Sequence, residues 1–199
     1  MKKILFTTLF SLFGALLLLG CSVKVGQDFK KPSNDALILG QSTYTQAIDQ
    51  LGKPHKEAIK TVNNQQINEI TYLFVDTSGE GVESRVVPAK ILSLSFSDNK
   101  LVGQYFLSSF KLDNTDFDDS KASMIKKGET SYSEVIAMLG NPTGVRIAPL
   151  VSLPSVKGIS YGISVTKKRV IGSGSDSSKK MIDIEFDDKN IVSKIFAAN

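Results

Sequence analysis

Residues 40–54 of this chain recur in degenerate form as residues 128–142, 88 positions later. The residues that keep their type in both segments are Gly40, Tyr44, Ile48, Leu51, Gly52 and Pro54, and then Gly128, Tyr132, Ile136, Leu139, Gly140 and Pro142. A second match, 90 positions apart, relates residues 96–102 to residues 186–192. Two matches in the same order with nearly equal offsets predict that the chain consists of two copies of one folding unit.

Each copy is predicted to contain a short helix with defined ends. Thr43 and Ser131 are candidate N-caps, and a Gln or Glu three residues later gives the spacing of a capping box. The apolar residues that follow at helical spacing are Tyr44, Ala47, Ile48 and Leu51, and then Tyr132, Val135, Ile136 and Leu139. Gly52 and Gly140 are predicted to end the helices with a positive φ, and the prolines two residues later keep the helices from resuming.

The rest of each copy is predicted to be a further short helix and three strands. The helices are expected over residues 35–39 and 122–127, and the strands over residues 67–75, 90–96 and 101–110, and over residues 158–165, 181–186 and 191–197. The prediction is an α+β fold of two tandem helix–helix–three-strand repeats with antiparallel sheets. The predicted bounds are residues 34–111 and 120–199 for the repeats, residues 112–119 for an acidic linker, and residues 77–88 and 166–180 for long loops.

The start of the chain is typical of a secretory signal peptide. Residues 1–20 combine a basic start with an uncharged apolar run, and Leu-Leu-Gly stands directly before Cys21. This ending resembles the lipobox of bacterial lipoproteins. The resemblance implies that Cys21 becomes the first mature residue, carries lipid, and tethers the domain to a membrane through a linker at residues 21–33. Ser22 resembles an outer-membrane sorting residue, which implies a domain facing the periplasm. An ordinary signal peptide with a chance cysteine, or an uncleaved anchor, is the alternative.

Composition argues against several classes of function. Loss of Lys2 and Lys3 with the leader lowers the net charge from +4 to +2, and no basic stripe interleaved with aromatic residues is present, so nucleic acid is not expected as a partner. Cys21 is the only cysteine and His55 the only histidine, so no disulfide, metal or cofactor is expected. The acidic residues 113–119 lack the glycine that a calcium loop requires at its sixth position.

A catalytic site is not expected either. Residues 158–162 satisfy the Gly-x-Ser-x-Gly string of a nucleophile elbow, but they lie in a predicted strand rather than in a strand-to-helix turn. His55 precedes Ser160, whereas the histidine of that hydrolase class follows the serine. The basic residues 167–169 and 179–180 flank one predicted hairpin. They indicate either a charged edge that discourages strand pairing or a contact with anionic lipid.

The repeated motif, followed by a strand with Tyr and by Phe-x-Asp, resembles the SmpA/OmlA (BamE-type) outer-membrane lipoprotein domain. That family has a single unit, and two tandem units look more like the arrangement of β-lactamase inhibitor proteins, whose paired units form one concave sheet. The resemblance implies a membrane-anchored, non-enzymatic lipoprotein that binds an envelope protein, in outer-membrane protein assembly or envelope maintenance. The alternative is an inhibitor or ligand-binding protein that uses the concave face, and an enzyme ranks last.

Overall fold

The computed structural model describes residues 22–33, 35–153, 155–171 and 173–198. Within these ranges the first half consists of β1 (Lys24–Val25), α1 (Tyr44–Leu51), β2 (Lys56–Val62), β3 (Gln65–Asp76), β4 (Ala89–Ser97) and β5 (Lys100–Ser108). The second half consists of a 3-10 helix (Asp119–Met124), α2 (Tyr132–Leu139), β6 (Gly144–Ile147), β7 (Lys157–Lys168), β8 (Ser175–Phe186) and β9 (Val192–Ala198). No helix in the described part of the chain is long and apolar enough to cross a membrane.

All nine strands belong to one antiparallel sheet. Strands β3 to β9 follow one another in sequence order, and β1 and β2 share the outer edge of the long strand β3. The two halves meet where β5 pairs with β6, over residues 103–105 and 144–146. The sheet therefore runs without interruption from one half into the other.

The predicted helix–helix–three-strand repeat is wrong. Each half has one α-helix and four strands, β2–β5 in the first and β6–β9 in the second, and β1 is additional. The described chain is dominated by strand. No helix forms over residues 35–39, because the Gly40 N–H donates to the Leu101 carbonyl of β5 (2.7 Å) instead of closing a helical turn. The Gly128 N–H likewise donates to the Val192 carbonyl of β9 (2.8 Å), and the helix expected over residues 122–127 is a 3-10 turn that ends at Met124.

The predicted ends of α1 and α2 are confirmed. Thr43 and Ser131 each accept a hydrogen bond from the backbone N–H three residues later, and the side chains of Gln46 and Glu134 accept from the backbones of the two caps. Gly52 ends α1 with φ 77° and ψ −164°, and Gly140 ends α2 with φ 78° and ψ −159°. That combination of angles is essentially restricted to glycine, so the residue type fixes where each helix stops.

Both helices pack on the same face of the sheet through matching contacts. The ring of Tyr44 meets Phe96 edge-on at 5.7 Å, and the ring of Tyr132 meets Phe186 edge-on at 5.2 Å. These contacts belong to two separate hydrophobic cores, one under each helix.

A second pair of matching contacts fastens the end of each helix to the sheet. The buried Tyr72 hydroxyl donates to the Gly52 carbonyl at 2.9 Å, and the Tyr161 hydroxyl donates to the Gly140 carbonyl at 2.8 Å. Burial and the proximity of Tyr44 raise the pKa of Tyr72 to about 12, and burial also raises the pKa of Tyr161, so both hydroxyls keep the proton they donate.

The correspondence extends upstream of the predicted repeat bounds. Phe29 packs on Tyr72 at 6.0 Å, and Phe117 packs on Tyr161 at 5.7 Å. The carboxylates one residue earlier bind lysines of equivalent strands, Asp28 with Lys90 at 2.6 Å and Asp116 with Lys180 at 2.7 Å. The segment predicted as an acidic linker thus makes the contacts in the second half that residues 28 and 29 make in the first.

Some strands are longer or more numerous than predicted. Residues 166–168 and 175–180, expected in a loop, extend β7 and β8 into a long hairpin whose arms pair from Lys157–Phe186 to Lys168–Ser175. Strands β2 and β6 were not predicted, nor was β1, which lies in the segment expected to be a linker. The turn between β2 and β3 contains Asn63 and Asn64, both with positive φ, which is typical of a tight hairpin.

Candidate binding site on the helix-free face of the sheet

The face of the sheet opposite α1 and α2, called here the helix-free face, is lined by polar and charged side chains in cross-strand rows. One row runs Ala58, Glu69, Ser95, Gly103, Arg146, Gly158, Glu185 and Lys194. The adjacent row runs Lys56, Thr71, Ser93, Tyr105, Gly144, Ser160, Asp183 and Phe196. Because residues that pair directly share a face, the registers alone place these side chains together.

A cavity of about 500 Å³ opens on this face where the two halves join. Side chains from both halves line it, among them Lys60, Glu69, Ser93, Tyr105, Arg146, Met181, Asp183 and Phe196. The volume falls within the range of roughly 300–1,000 Å³ that is typical of small-molecule pockets.

Arg146 is the centre of a charged cluster in the second half. Its Nη1 donates to the Ser160 hydroxyl at 2.9 Å and to Asp183 Oδ1 at 3.0 Å, and its Nη2 lies 3.5 Å from Glu185 Oε1. The Ser160 hydroxyl also donates to Asp183. One cation therefore holds two carboxylates from the same face of β8 in fixed positions.

Glu185 is nearly buried, with 5% of its side chain exposed. Its Oε2 accepts hydrogen bonds from the backbone N–H of Ser152, at 3.2 Å, and from the Ser152 hydroxyl, which in turn accepts from Lys194 Nζ at 2.8 Å. Burial by itself raises the pKa of Glu185, but the Ser152 hydrogen bonds and the Arg146 charge outweigh it and lower the pKa overall. The carboxylate is therefore ionised at neutral pH, and both of its oxygens have hydrogen-bond partners.

The glycines of the Gly-x-Ser-x-Gly string leave room for two large side chains. A Cβ at Gly158 would lie 2.8 Å from the Arg146 guanidinium carbon, and a Cβ at Gly162 would lie 2.5 Å from the Tyr105 hydroxyl oxygen. The string thus forms the floor under the cluster, within a strand, as the sequence predicted. The Tyr105 hydroxyl donates to Met181 Sδ at 3.2 Å, and burial, with Asp183 nearby, raises its pKa to about 12.

The rim of the cavity is formed by both halves. Lys60 Nζ pairs with Glu69 Oε2 at 2.5 Å on one side, and the half-exposed ring of Phe196 stands on the other. The loop after β6 crosses one end, where Asn63 of the first half donates to the Pro149 carbonyl at 2.8 Å and Leu150 lies over Gly103. These contacts fix the opening.

Chemically, the site combines fixed charges of both signs with an apolar rim, which suits recognition of a polar group or a protruding side chain. The Ser160 hydroxyl donates its hydrogen bond to Asp183 rather than to an imidazole, and His55 lies exposed beyond α1. Among the described residues, no three His, Cys, Asp or Glu side chains come together as a metal-binding group.

Of the residues singled out from the sequence, Ser160 lies in the cluster, while the repeated motif does not. Cys21 falls outside the described residues. Gly40 and Gly128 anchor the approach to each helix, and the remaining motif residues belong to the helix-bearing face: Tyr44, Leu51, Gly52, Pro54, Tyr132, Leu139, Gly140 and Pro142. The repeated motif therefore describes the scaffold and not the cavity.

Sequence reasoning missed the cluster of Arg146, Asp183 and Glu185. These residues are far apart in the chain and meet only through the β6–β7–β8 register. The one local signal was the alternation of Asp183 and Glu185 with isoleucines in β8, which places both carboxylates on the face opposite the core.

No protein-family model matches this chain, and no curated protein matches it. Among solved structures, it is similar to a Streptococcus mutans protein provisionally named a beta-lactamase inhibitor protein, at 15% sequence identity and a TM-score of 0.43. The match covers 83% of this chain and 92% of that one. Similarity at this level establishes neither a shared fold nor a shared function.

Proposed function

We propose that this protein is a non-enzymatic binding module, held at a bacterial membrane by lipid on Cys21, that receives an envelope protein on its helix-free face. The observation that carries the proposal is the cavity of about 500 Å³, whose walls come from both halves of the sheet. The process is outer-membrane protein assembly or envelope maintenance, in keeping with the resemblance of the repeated motif to lipoprotein domains.

The charges around the cavity support a binding role over a catalytic one. Arg146 forms ion pairs with Asp183 and Glu185, and Lys194 donates a hydrogen bond to Ser152. These groups are therefore held in place before any partner binds. Groups already fixed in position lose little side-chain entropy on binding, which favours specific recognition. The exposed ring of Phe196 beside them offers the kind of aromatic anchor that dominates protein interfaces.

A capture experiment tests the proposal. The chain with Cys21 intact is purified in detergent from cells and its co-purifying proteins are compared with those of Phe196→Asp and Ser93→Tyr, which charge the rim and fill the cavity. Ala137→Tyr, on the exposed side of α2, is the matched control. We expect one defined partner to be lost with both cavity variants and kept with the control. A partner retained equally by all four proteins would contradict the proposal.

A second candidate is a soluble inhibitor or small-ligand binder that uses the same cavity, and the cavity volume favours it. Capture from soluble extract by residues 22–199, with nothing gained from detergent-solubilised extract, would select this candidate over the envelope partner. An enzymatic role ranks last. Loss of a measured activity in a folded Ser160→Ala variant would revive it.

A further inference from the structure

The long β7–β8 hairpin ends in a segment that is both apolar and basic. Residues 167–171 and 173–179, called here the hairpin tip, include Val170 and Ile171, whose exposed fractions are 76% and 89%. β7 and β8 pair with each other as far as Lys168 and Ser175, so Val170 and Ile171 lie on the turn beyond the last strand pair.

The tip carries an excess of positive charge. It contains Lys167, Lys168, Arg169 and Lys179, and Asp176 is its single acidic residue. Arg169 pairs with Asp176 at 2.8 Å and Lys167 with Glu83 at 2.6 Å. In the described part of the chain, no ion pair within 4.0 Å involves Lys168 or Lys179. Lys168 therefore stands uncompensated two residues before Val170, and Lys179 adds a second such cation four residues along β8 from Ser175.

The tip lies at the same end of the sheet as the start of the described chain. β1 pairs with the last residues of β3, and the Val23 N–H donates to the Thr77 hydroxyl at 2.8 Å. The loop that begins at Thr77 crosses to the hairpin, where the Lys168 N–H donates to the Arg85 carbonyl at 3.0 Å. The residues that follow position 21 and the hairpin tip therefore face the same side of the molecule.

We propose that the hairpin tip enters the interface of an anionic lipid bilayer. Val170 and Ile171 lie at the boundary between headgroups and acyl chains, and Lys168 and Lys179 lie beside lipid phosphates. Two apolar side chains are far too small a surface for a stable protein interface, which buries at least about 1,200 Å². They suffice as one of the two weak signals that together hold a peripheral protein at a membrane. This inference goes beyond the proposed function and does not depend on it.

The chain has no tryptophan, so one introduced tryptophan reports on the tip alone. The test uses residues 22–199, which contain both hydrophobic cores and every described strand, with folding checked by circular dichroism. Ile171→Trp is titrated with vesicles of phosphatidylcholine, with and without phosphatidylglycerol. Leu153→Trp, at a site that is 88% exposed in another loop, is the matched control. We expect a blue shift of the tryptophan fluorescence only for Ile171→Trp and only with the anionic vesicles. The shift should become smaller as salt is added.

Vesicle sedimentation then measures the contribution of each group. Val170→Ser with Ile171→Ser is expected to lower partitioning about tenfold or more, and Lys168→Gln about fivefold. Leu153→Ser, Phe196→Asp and Ser93→Tyr are expected to leave it unchanged, which separates this surface from the partner-binding cavity. Absence of the shift, equal binding to neutral vesicles, or unchanged partitioning of the tip variants overturns the inference. If the tip variants instead lose only the captured protein partner, the tip is a protein contact.

Discussion

The two halves of the molecule agree on the face that carries the helices and differ on the opposite face. Under each helix, a tyrosine on the helix meets a phenylalanine of the sheet, and a second tyrosine binds the carbonyl of the helix-ending glycine. On the helix-free face, the first half has Ala58, Ser93 and Ser95 where the second has Arg146, Asp183 and Glu185.

The difference has a physical cause. The helix-bearing face must fill two closed cores, so its side chains are fixed in size and position by packing. The helix-free face contacts solvent, and a change there alters charge without opening a cavity in the core. The two halves can therefore share one scaffold and differ in the charges of the opposite face, where the second half concentrates Arg146, Asp183 and Glu185 beside the Lys60–Glu69 pair of the first half.

Breaking the charged cluster gives the largest expected effect. Arg146→Met leaves the nearly buried Glu185 and the adjacent Asp183 without their cation, and we expect a loss of about 3 kcal/mol in the free energy of unfolding. Lys60→Met, which breaks the exposed Lys60–Glu69 pair of the first half, should cost no more than about 1 kcal/mol. Urea unfolding at neutral pH measures both. Equal costs would mean that the two surfaces are energetically alike.

The helix-ending glycines test the agreement between the halves. Gly52→Ala and Gly140→Ala place a Cβ where nothing lies within 4 Å, so any cost comes from the backbone angles alone. We expect each to lose about 1–3 kcal/mol, by equal amounts. Thermal and urea unfolding of the two single variants supply the measurement, and a neutral result at both positions would refute the stated helix ends.

The hydroxyls of Tyr72 and Tyr161 test the agreement between the halves with a smaller expected cost. Tyr72→Phe and Tyr161→Phe each remove one buried hydrogen bond to the carbonyl of a helix-ending glycine, with little change in packing. Each should cost about 1 kcal/mol. Urea unfolding of the two single variants measures both costs. Costs that differ strongly between the two tyrosines would show that the matching geometry hides different energetics.

The capping boxes differ in one titratable group, which gives the smallest predicted effect. Hydrogen bonds from the Ser131 backbone and hydroxyl lower the pKa of Glu134 below its ordinary 4.5, whereas the first half has the neutral Gln46. The stabilisation is complete above pH 4.5 and is lost as the pH falls through the lower pKa of the folded state. Glu134→Gln should therefore flatten the acid side of the stability profile slightly, and Gln46→Glu should steepen it. No change in slope for either variant would argue against this cap.

The sequence predicts the parts of the fold that depend on local chemistry. The N-caps, the helix-ending glycines and the three long strands of each copy follow from residues within one turn or one strand of each other. The helix expected over residues 35–39 fails because Gly40 bonds to a strand 61 residues away, which no local pattern reveals. β2 was missed because six of its seven residues are exposed, so its sequence shows no buried face, although Asn63-Asn64 marks its turn.

The candidate site was beyond local prediction for the same reason. Arg146 and Glu185 meet because Gly158 stands between them in a cross-strand row, and a row exists only once the register of three strands is set. The repeated motif identifies the scaffold, because the same packing in both halves requires the same residue types. The residues that differ between the copies line the cavity.

Photo-cross-linking in intact cells tests most directly whether the helix-free face is the binding surface. A benzophenone amino acid replaces Phe196 at the rim of the cavity or, in a second strain, Ala137 on the exposed side of α2. We expect a discrete cross-linked product from position 196 that Ser93→Tyr abolishes, and none from position 137. A product from position 137 alone, or equal products from both, would contradict it.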